Sequence, residues 1–247
     1  MKITFLGSSH GVPSAERYCS CAMIEVGESI YLIDAGAPVT DLLMRYGKSV
    51  DDLSAVFTTH CHSDHTNGLF GLTGLCNWYF KKAAFDVFVT NEKIPQAIAS
   101  YIAATDCLEL DRERLRFKQA FEGEVYDDGN VRITYIPTKH CEPEASYAIL
   151  VEGEGRCVLF TGDLSSHLKK QDFPKMAMEK HTDLVVCEMA HFGLEPLKPY
   201  MEELKTDRLC FNHIYPLKKI DAIKEAAETG VYAYEITVAC DGDIIEF

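Results

Sequence analysis

Thr58-Thr59-His60-Cys61-His62-Ser63-Asp64-His65-Thr66-Asn67-Gly68 holds three histidines and an aspartate within six positions, in the order H-x-H-x-D-H. Imidazole and carboxylate are common ligands of zinc and similar divalent ions. The apolar run Ala55-Val56-Phe57 before the motif predicts a buried strand, and another apolar stretch begins at Leu69. Ligands that leave a rigid strand end suit a preorganised metal site. The four groups are too crowded to serve one ion. Alternation along the chain would send His60 and His62 one way and Asp64 and His65 another, so two metals sharing one loop are expected.

Two metals need more ligands, and the chain offers isolated ones. His140 follows a strand-like run, Asp163 follows the apolar Cys157–Phe160, and His213 follows Leu209-Cys210-Phe211-Asn212. Each lies just past a buried strand, where loops carry sites in α/β proteins. Taken singly, capping or surface roles are the simpler readings. Taken in this order with the motif, they read as ligands. Asp34, at the end of Ile30–Ile33, is placed to orient a ligand from outside the metal's reach. His167 and His181 lie in charged segments and are expected to be solvated; His10 and His191 are left open.

Composition narrows the partners. With 24 Lys and Arg against 38 Asp and Glu, the formal charge is −14, so a chain drawn to nucleic acid or membrane by bulk electrostatics is disfavoured. A hydrophobic fraction of 47% is ample for a globular core. The ten cysteines (Cys19, Cys21, Cys61, Cys76, Cys107, Cys141, Cys157, Cys187, Cys210 and Cys240) show no CxxC pair, which fits reduced thiols in a cytoplasmic protein. Cys19 and Cys21 supply too few ligands for a separate structural metal. Cys61 should point away from the metals by alternation. The apolar opening of MKITFLGSSHG is too short for a signal peptide, and no run is long enough to span a membrane.

The periodicities predict α/β with many short strands, at Lys2–Leu6, Ala22–Val26, Ile30–Asp34, Ala55–Thr58, Asp86–Thr90, Val131–Pro137, Ser146–Val151, Arg156–Thr161, Leu184–Glu188, Arg208–Asn212 and Ile244–Phe247. Gly27-Glu28 fits a hairpin turn. Helices are expected at Pro38–Tyr46, at Asn91–Thr105 with Asn91 as cap, around Pro199–Lys205, and at Leu217–Thr229 with Gly230 as stop. Asp106–Asp128 reads as loop and short strand. Gly7-Ser8-Ser9-His10-Gly11 lacks the order of a phosphate loop and reads as a tight turn or a substrate-facing loop. Strands and helices do not alternate regularly, which disfavours Rossmann and TIM topologies.

The order Asp34, H-x-H-x-D-H, His140, Asp163, His213 resembles the metallo-β-lactamase superfamily over nearly the whole chain. The resemblance implies one domain over residues 1–247, a four-layer αββα sandwich with two metals at one edge. It implies that His60, His62 and His140 bind the first metal, that Asp64, His65 and His213 bind the second, and that Asp163 bridges both. His62 stands where the oxygen-reducing di-iron branch typically carries Glu, which favours hydrolysis. Asp163 together with His65 points away from zinc β-lactamases and toward phosphodiesterase-like and glyoxalase-like branches.

Thr4-Phe5-Leu6-Gly7-Ser8-Ser9-His10-Gly11-Val12-Pro13 and Ile33-Asp34-Ala35-Gly36 are similar to ribonuclease Z and its small phosphodiesterase relatives. Glu188-Met189-Ala190-His191 looks like a diverged His-Glu-Ala-Thr segment of that group. In ribonuclease Z a long arm that grips tRNA is inserted between the third and fourth motifs. Here His140 and Asp163 are only 23 positions apart, and a predicted hairpin fills the gap. The expectation is therefore a small or cyclic phosphodiester as substrate, not tRNA and not a membrane. The cofactor is expected to be two divalent ions, zinc first and manganese or iron as alternatives. A metal-bridging hydroxide would attack phosphorus, Asp64 would also orient or deprotonate the water that forms it, and His191, or else His10, would protonate the leaving alkoxide. Two such ions against Asp64, Asp163 and the hydroxide would leave the site near +1, able to take a monoanion. The alternative is a thioester or lactone hydrolase of the glyoxalase II type; a non-catalytic metal-stabilised protein is the third reading. Relatives of this kind often form homodimers, an implication by analogy.

Overall fold

Most strands carry apolar side chains on both faces, so each sheet must be covered twice. A computed structural model, describing residues 1–12, 14–106 and 108–247, satisfies this with four layers. Pro13 and Cys107 lie outside the described residues. One sheet has the order β14 (Ile244–Glu246), β1 (Lys2–Gly7), β2 (Cys21–Val26), β3 (Ser29–Ile33), β4 (Leu53–Phe57), β5 (Phe85–Val89) and β6 (Leu115–Gln119). The other has β13 (Glu235–Val238), β12 (Arg208–Ile214), β11 (Leu184–Met189), β10 (Arg156–Phe160), β9 (Ser146–Gly153), β8 (Val131–Thr138) and β7 (Gly123–Asp127).

The inner faces meet through Phe5, Ile24, Tyr31, Phe57, Ile133 and Val186, among others. The alternate residues Met23, Leu32 and Val56 pack outward with Leu42 of α1 (Val39–Arg45), Leu69 of α2 (Ser63–Trp78) and Ile98 of α3 (Lys93–Asp106). On the far side Leu159, Val185 and Phe211 pack with Ala177 of α4 (Met176–Glu179), Leu197 of α5 (Leu194–Glu203) and Ile223 of α6 (Lys219–Glu228). This is the αββα sandwich.

Strands β3 to β6 run parallel, and so do β10 to β13. The C-terminal ends of β4, β8, β10 and β12 deliver the candidate ligands to one edge. The predicted strands are found to within two residues at either end, and Gly27 turns the β2–β3 hairpin at φ 58°. Strands β9 and β10 pair as the expected hairpin between His140 and Asp163. The nine described cysteines are free thiols. No described helix is long and apolar enough to cross a membrane.

Several expectations need correction. Asp106–Asp128 contains the end of α3 and two strands, β6 and β7, whose many exposed polar residues mask their pattern. Strand β13 and helix α4 were not anticipated. Helix α5 begins at Leu194, five residues before the predicted start, with Pro199 inside it. The motif does not continue as a strand: Ser63 opens α2, and His62 is its N-cap.

Candidate metal centre

Backbone packing puts the motif in place. Past β4 the chain passes Thr59 and His60, turns at His62, and enters α2 with Asp64 and His65 in its first turn. The different directions of these side chains follow from this strand–turn–helix path, not from strand alternation. The helix start presses on the 34–37 turn: Ala35 N–H donates to His65 O at 2.8 Å and Gly68 N–H to Ala35 O at 2.6 Å. A Cβ at Gly36 would stand 1.6 Å from Asp64 O, and one at Gly68 would stand 2.1 Å from Ala37 O, so neither position admits a side chain.

Three ring nitrogens converge first. His62 Nδ1 lies 3.0 Å from His60 Nε2 and 3.2 Å from His140 Nε2. Beside them, Asp64 Oδ2 lies 3.6 Å from His65 Nε2 and 3.8 Å from His213 Nε2. Asp163 stands between the groups. Its Oδ2 is 3.6 Å from both His60 Nε2 and His140 Nε2 and 3.4 Å from His213 Nε2, and its Oδ1 is 3.6 Å from His65 Nε2. Most of these spacings are long for hydrogen bonds. They are close to the separation of about 3.4 Å between nitrogens bound to one tetrahedral ion at 2.0–2.1 Å. His65 Nε2, Asp163 Oδ1 and His213 Nε2 are buried with no hydrogen-bond partner. Buried polar atoms are rarely left so, and a shared cation would satisfy all three. The donor set therefore fits a metal.

The outward nitrogens explain why the inner ones are free. His65 Nδ1 donates to Asp34 Oδ2 at 2.7 Å, and His140 Nδ1 to Leu164 O at 3.2 Å. Carboxylate and carbonyl only accept, so Nδ1 carries the proton and each neutral ring presents the Nε2 lone pair inward. His213 Nδ1 meets Ser20 Oγ at 2.7 Å, and His60 Nδ1 meets Thr59 Oγ1 at 3.0 Å. Asp34 also accepts from Thr59 N at 2.7 Å. Asp34 and His213 both have left-handed backbones, φ 59° and 49°, unusual outside glycine and concentrated here at the site.

Burial and the neighbouring His65 hold His60 well below the usual imidazole range. Burial opposes charge on Asp163, yet His213, His65 and His60 outweigh it and hold the carboxyl well below its usual range. Burial likewise opposes charge on His65, but Asp34 and Asp163 outweigh it and hold the ring well above. A proton and a cation thus compete for His65.

His191 sits at the rim. Its Nδ1 lies 2.9 Å from Glu188 Oε1 and 3.8 Å from Asp163 Oδ2. Glu188 is buried and also accepts from Leu164 N, Ala190 N and His191 N. Burial opposes charge on His191, but the Glu188 hydrogen bond outweighs it and raises the ring's affinity for a proton. His10 stacks on Tyr215 at 4.8 Å, and burial with the nearby His213 lowers it. His181 pairs with Asp207 at the surface and His167 is exposed; both are away from the site's metal groupings. Cys141, not singled out from sequence, joins the His60, His62 and His140 group, its Sγ 3.8 Å from His62 Nε2. Cys61 is in no such group among the described residues. Ser20, which meets His213 from 193 positions away, and Thr59, which also reaches Asp34, were missed as well.

A family model described as Anti-Pycsar protein Apyc1 matches residues 1–227. Ribonuclease Z of Thermosynechococcus vestitus is 32% identical over 160 residues, 62% of this chain and 37% of that protein. Ribonuclease Z of Acaryochloris marina is 29% identical over 155 residues, 60% of this chain and 47% of its own length. The chain thus matches less than half the length of either relative. Among solved structures, the metallo-β-lactamase fold protein YhfI from Bacillus subtilis superposes with TM-score 0.79, 21% identity and 99% coverage of both chains. Human tRNase Z, short form, gives 0.74 at 18% identity, covering 100% of this chain and 99% of that one. A diphosphatase of the PhnP family gives 0.71 at 19% identity, covering 100% and 97%.

Proposed function

The chain belongs to the Anti-Pycsar protein Apyc1 family, within the metallo-β-lactamase superfamily near its ribonuclease Z branch, and from that position we propose that it is a two-metal hydrolase of small or cyclic phosphodiesters. The observation that carries the reading is the convergence of His60, His62, His140, Asp64, His65, His213 and Asp163 around buried, unpartnered Nε2 and Oδ1 atoms. His60, His62 and His140 would hold one ion, Asp64, His65 and His213 the other, and Asp163 both. Zinc suits these ligands, with manganese or iron as alternatives. Bound there, a pair of divalent ions supplies Lewis acidity and an activated water near neutral pH.

The protein's own groups supply the rest. Asp64 and Asp163 offset only half the charge of such a pair, so a monoanionic diester is attracted into a chain of net charge −14. Asp64, on the first turn of α2, is placed to orient the attacking water. His191 donates its Nδ1–H to Glu188 in a hydrogen bond and keeps its Nε2–H for the leaving alkoxide, with Glu188 favouring the protonated ring. The short β9–β10 hairpin between His140 and Asp163 supports a small substrate over tRNA. We take residues 1–247 as one domain.

The test is turnover of bis(p-nitrophenyl) phosphate by stripped protein reloaded separately with Zn²⁺, Mn²⁺ and Fe²⁺, with Asp163→Ala alongside. Metal-dependent turnover that vanishes in Asp163→Ala is the expected result. No turnover despite two bound equivalents would sink the phosphodiesterase reading and move attention to thioesters and lactones.

A further inference from the structure

Outside the ring of ligands, Asp172 ties together the two loops that carry His140 and Asp163. Its side chain is buried. Oδ2 accepts from Lys139 N at 3.0 Å and Ser165 N at 2.9 Å, and Oδ1 accepts from Ser165 Oγ at 2.5 Å. Lys139 precedes His140, and Ser165 lies two residues after Asp163. Between them Leu164 O accepts the outward proton of His140 at 3.2 Å. The chain from Ser165 to Asp172 doubles back to make this contact, with left-handed backbones at His167, Leu168 and Gln171, φ 50–55°. Such conformations are unfavourable outside glycine and persist where their surroundings over-determine them. Lys170 Nζ adds an outer strap, reaching Lys139 O at 3.2 Å and Glu142 at 2.8 Å.

We infer that Asp172 is a positioning residue that fixes where His140 stands relative to Asp163, and so sets the affinity of the first metal site. The inference rests on the metal-centre reading above. Thr138 Oγ1 also reaches Asp163 O at 3.3 Å, but among the described residues Asp172 alone takes backbone N–H groups from both loops, so it fixes the register of His140 against Asp163. Groups that orient a metal's ligands typically change its affinity by about ten- to a hundredfold when removed.

The experiment is a competitive chelator titration of the Zn²⁺-loaded protein, with thermal unfolding of the metal-free form run beside it. Asp172→Ala should weaken one of the two equivalents by about ten- to a hundredfold, the same one that His140→Ala loses, and leave the other near its wild-type affinity. Asp172→Asn should restore most of the loss, because its carbonyl can accept both backbone N–H groups while its NH₂ donates to Ser165 Oγ. Wild-type affinity for both equivalents in Asp172→Ala overturns the inference. So does equal weakening of both with a matching fall in Tm that Asn does not repair, which is a purely structural role. If wild-type protein itself fails to hold two equivalents, the metal-centre reading fails instead, and the two failures are distinguishable.

Discussion

In the first half of the chain, His60, His62, Asp64 and His65 leave one strand end, one turn and one turn of helix; in the second half, His140 and Asp163 arrive on two separate loops and His213 near the end of β12. The first group's backbone is held by main-chain packing, and Asp34 and Thr59 add side-chain contacts to His65 and His60. Helix α2 presses on the 34–37 turn so closely that Gly36 and Gly68 admit no Cβ. The second group is held in part by side chains reaching across the fold: Ser20 to His213 and Asp172 to the loop ahead of His140. The backbone of the contiguous group can therefore be set by local geometry, whereas the dispersed residues rely more on side-chain ties. Mutations at ties should act on one function at a time, and mutations in the packed half should act on stability.

The largest effect belongs to the group that joins the halves. Asp163→Ala should remove both metal equivalents, with a fall in diester turnover of at least about a thousandfold. Metal content by mass spectrometry and turnover would be read on the same sample. Two retained equivalents would mean that Asp163 does not bridge, and the comparison between halves would have to be redrawn.

His191 comes next, and its effect should depend on the leaving group. His191→Ala should slow an alkyl phosphodiester by about a hundredfold yet leave bis(p-nitrophenyl) phosphate within a few-fold, because p-nitrophenolate departs without a proton. The pH profile adds a sign check. The proton affinity of His191 is raised by Glu188, so its acid form is present below that raised pKa and lost as pH rises through it. Turnover of the alkyl diester should fall on that limb, and the fall should disappear in His191→Ala. Equal losses on both substrates would make His191 a structural residue.

A pair of glycines tests the packed half. Gly36→Ala drives a methyl group into Asp64 O and should destabilise the protein by about 1–3 kcal/mol. Gly71, in the middle of α2, has open space around it, so Gly71→Ala should raise Tm, through a helix-propensity gain of up to about 1 kcal/mol. Opposite signs in thermal unfolding would separate close approach from mere helix composition. If both variants shift Tm alike, the backbone contact is not what holds the motif.

The same contrast decides what could be read in advance. H-x-H-x-D-H was legible because its geometry is local, and His140, Asp163 and His213 were legible because each follows a buried strand. Helix α2 was not: its first turn is given over to polar residues, and Gly68 and Gly74 dilute its apolar face. Strands β6, β7 and β13 were missed or blurred because they sit at or near sheet edges, where exposed Arg, Lys and Glu break the alternation. The ties were invisible for another reason. Asp172 and Lys139 are 33 positions apart and Ser20 and His213 are 193 apart, and nothing in a sequence marks a lone Asp or Ser as the far end of such a contact.

Lys219 offers the smallest and most selective effect. From the start of α6 its Nζ donates to Met189 O at 2.8 Å, Ala190 O at 2.9 Å and Phe192 O at 2.7 Å. One ammonium thus closes the turn that presents His191. Partial burial lowers its proton affinity. Lys219→Met keeps the bulk and removes all three donors. It should slow the alkyl diester by about tenfold, less than loss of His191 itself, while metal content and bis(p-nitrophenyl) phosphate turnover stay near wild type. Lys219→Arg should not rescue it, because a planar guanidinium cannot aim three donors at carbonyls converging on one point. A Met variant that lost metal instead would mean that the turn supports the ligands themselves, and the separation between the metal-holding and proton-giving parts of the second half would collapse.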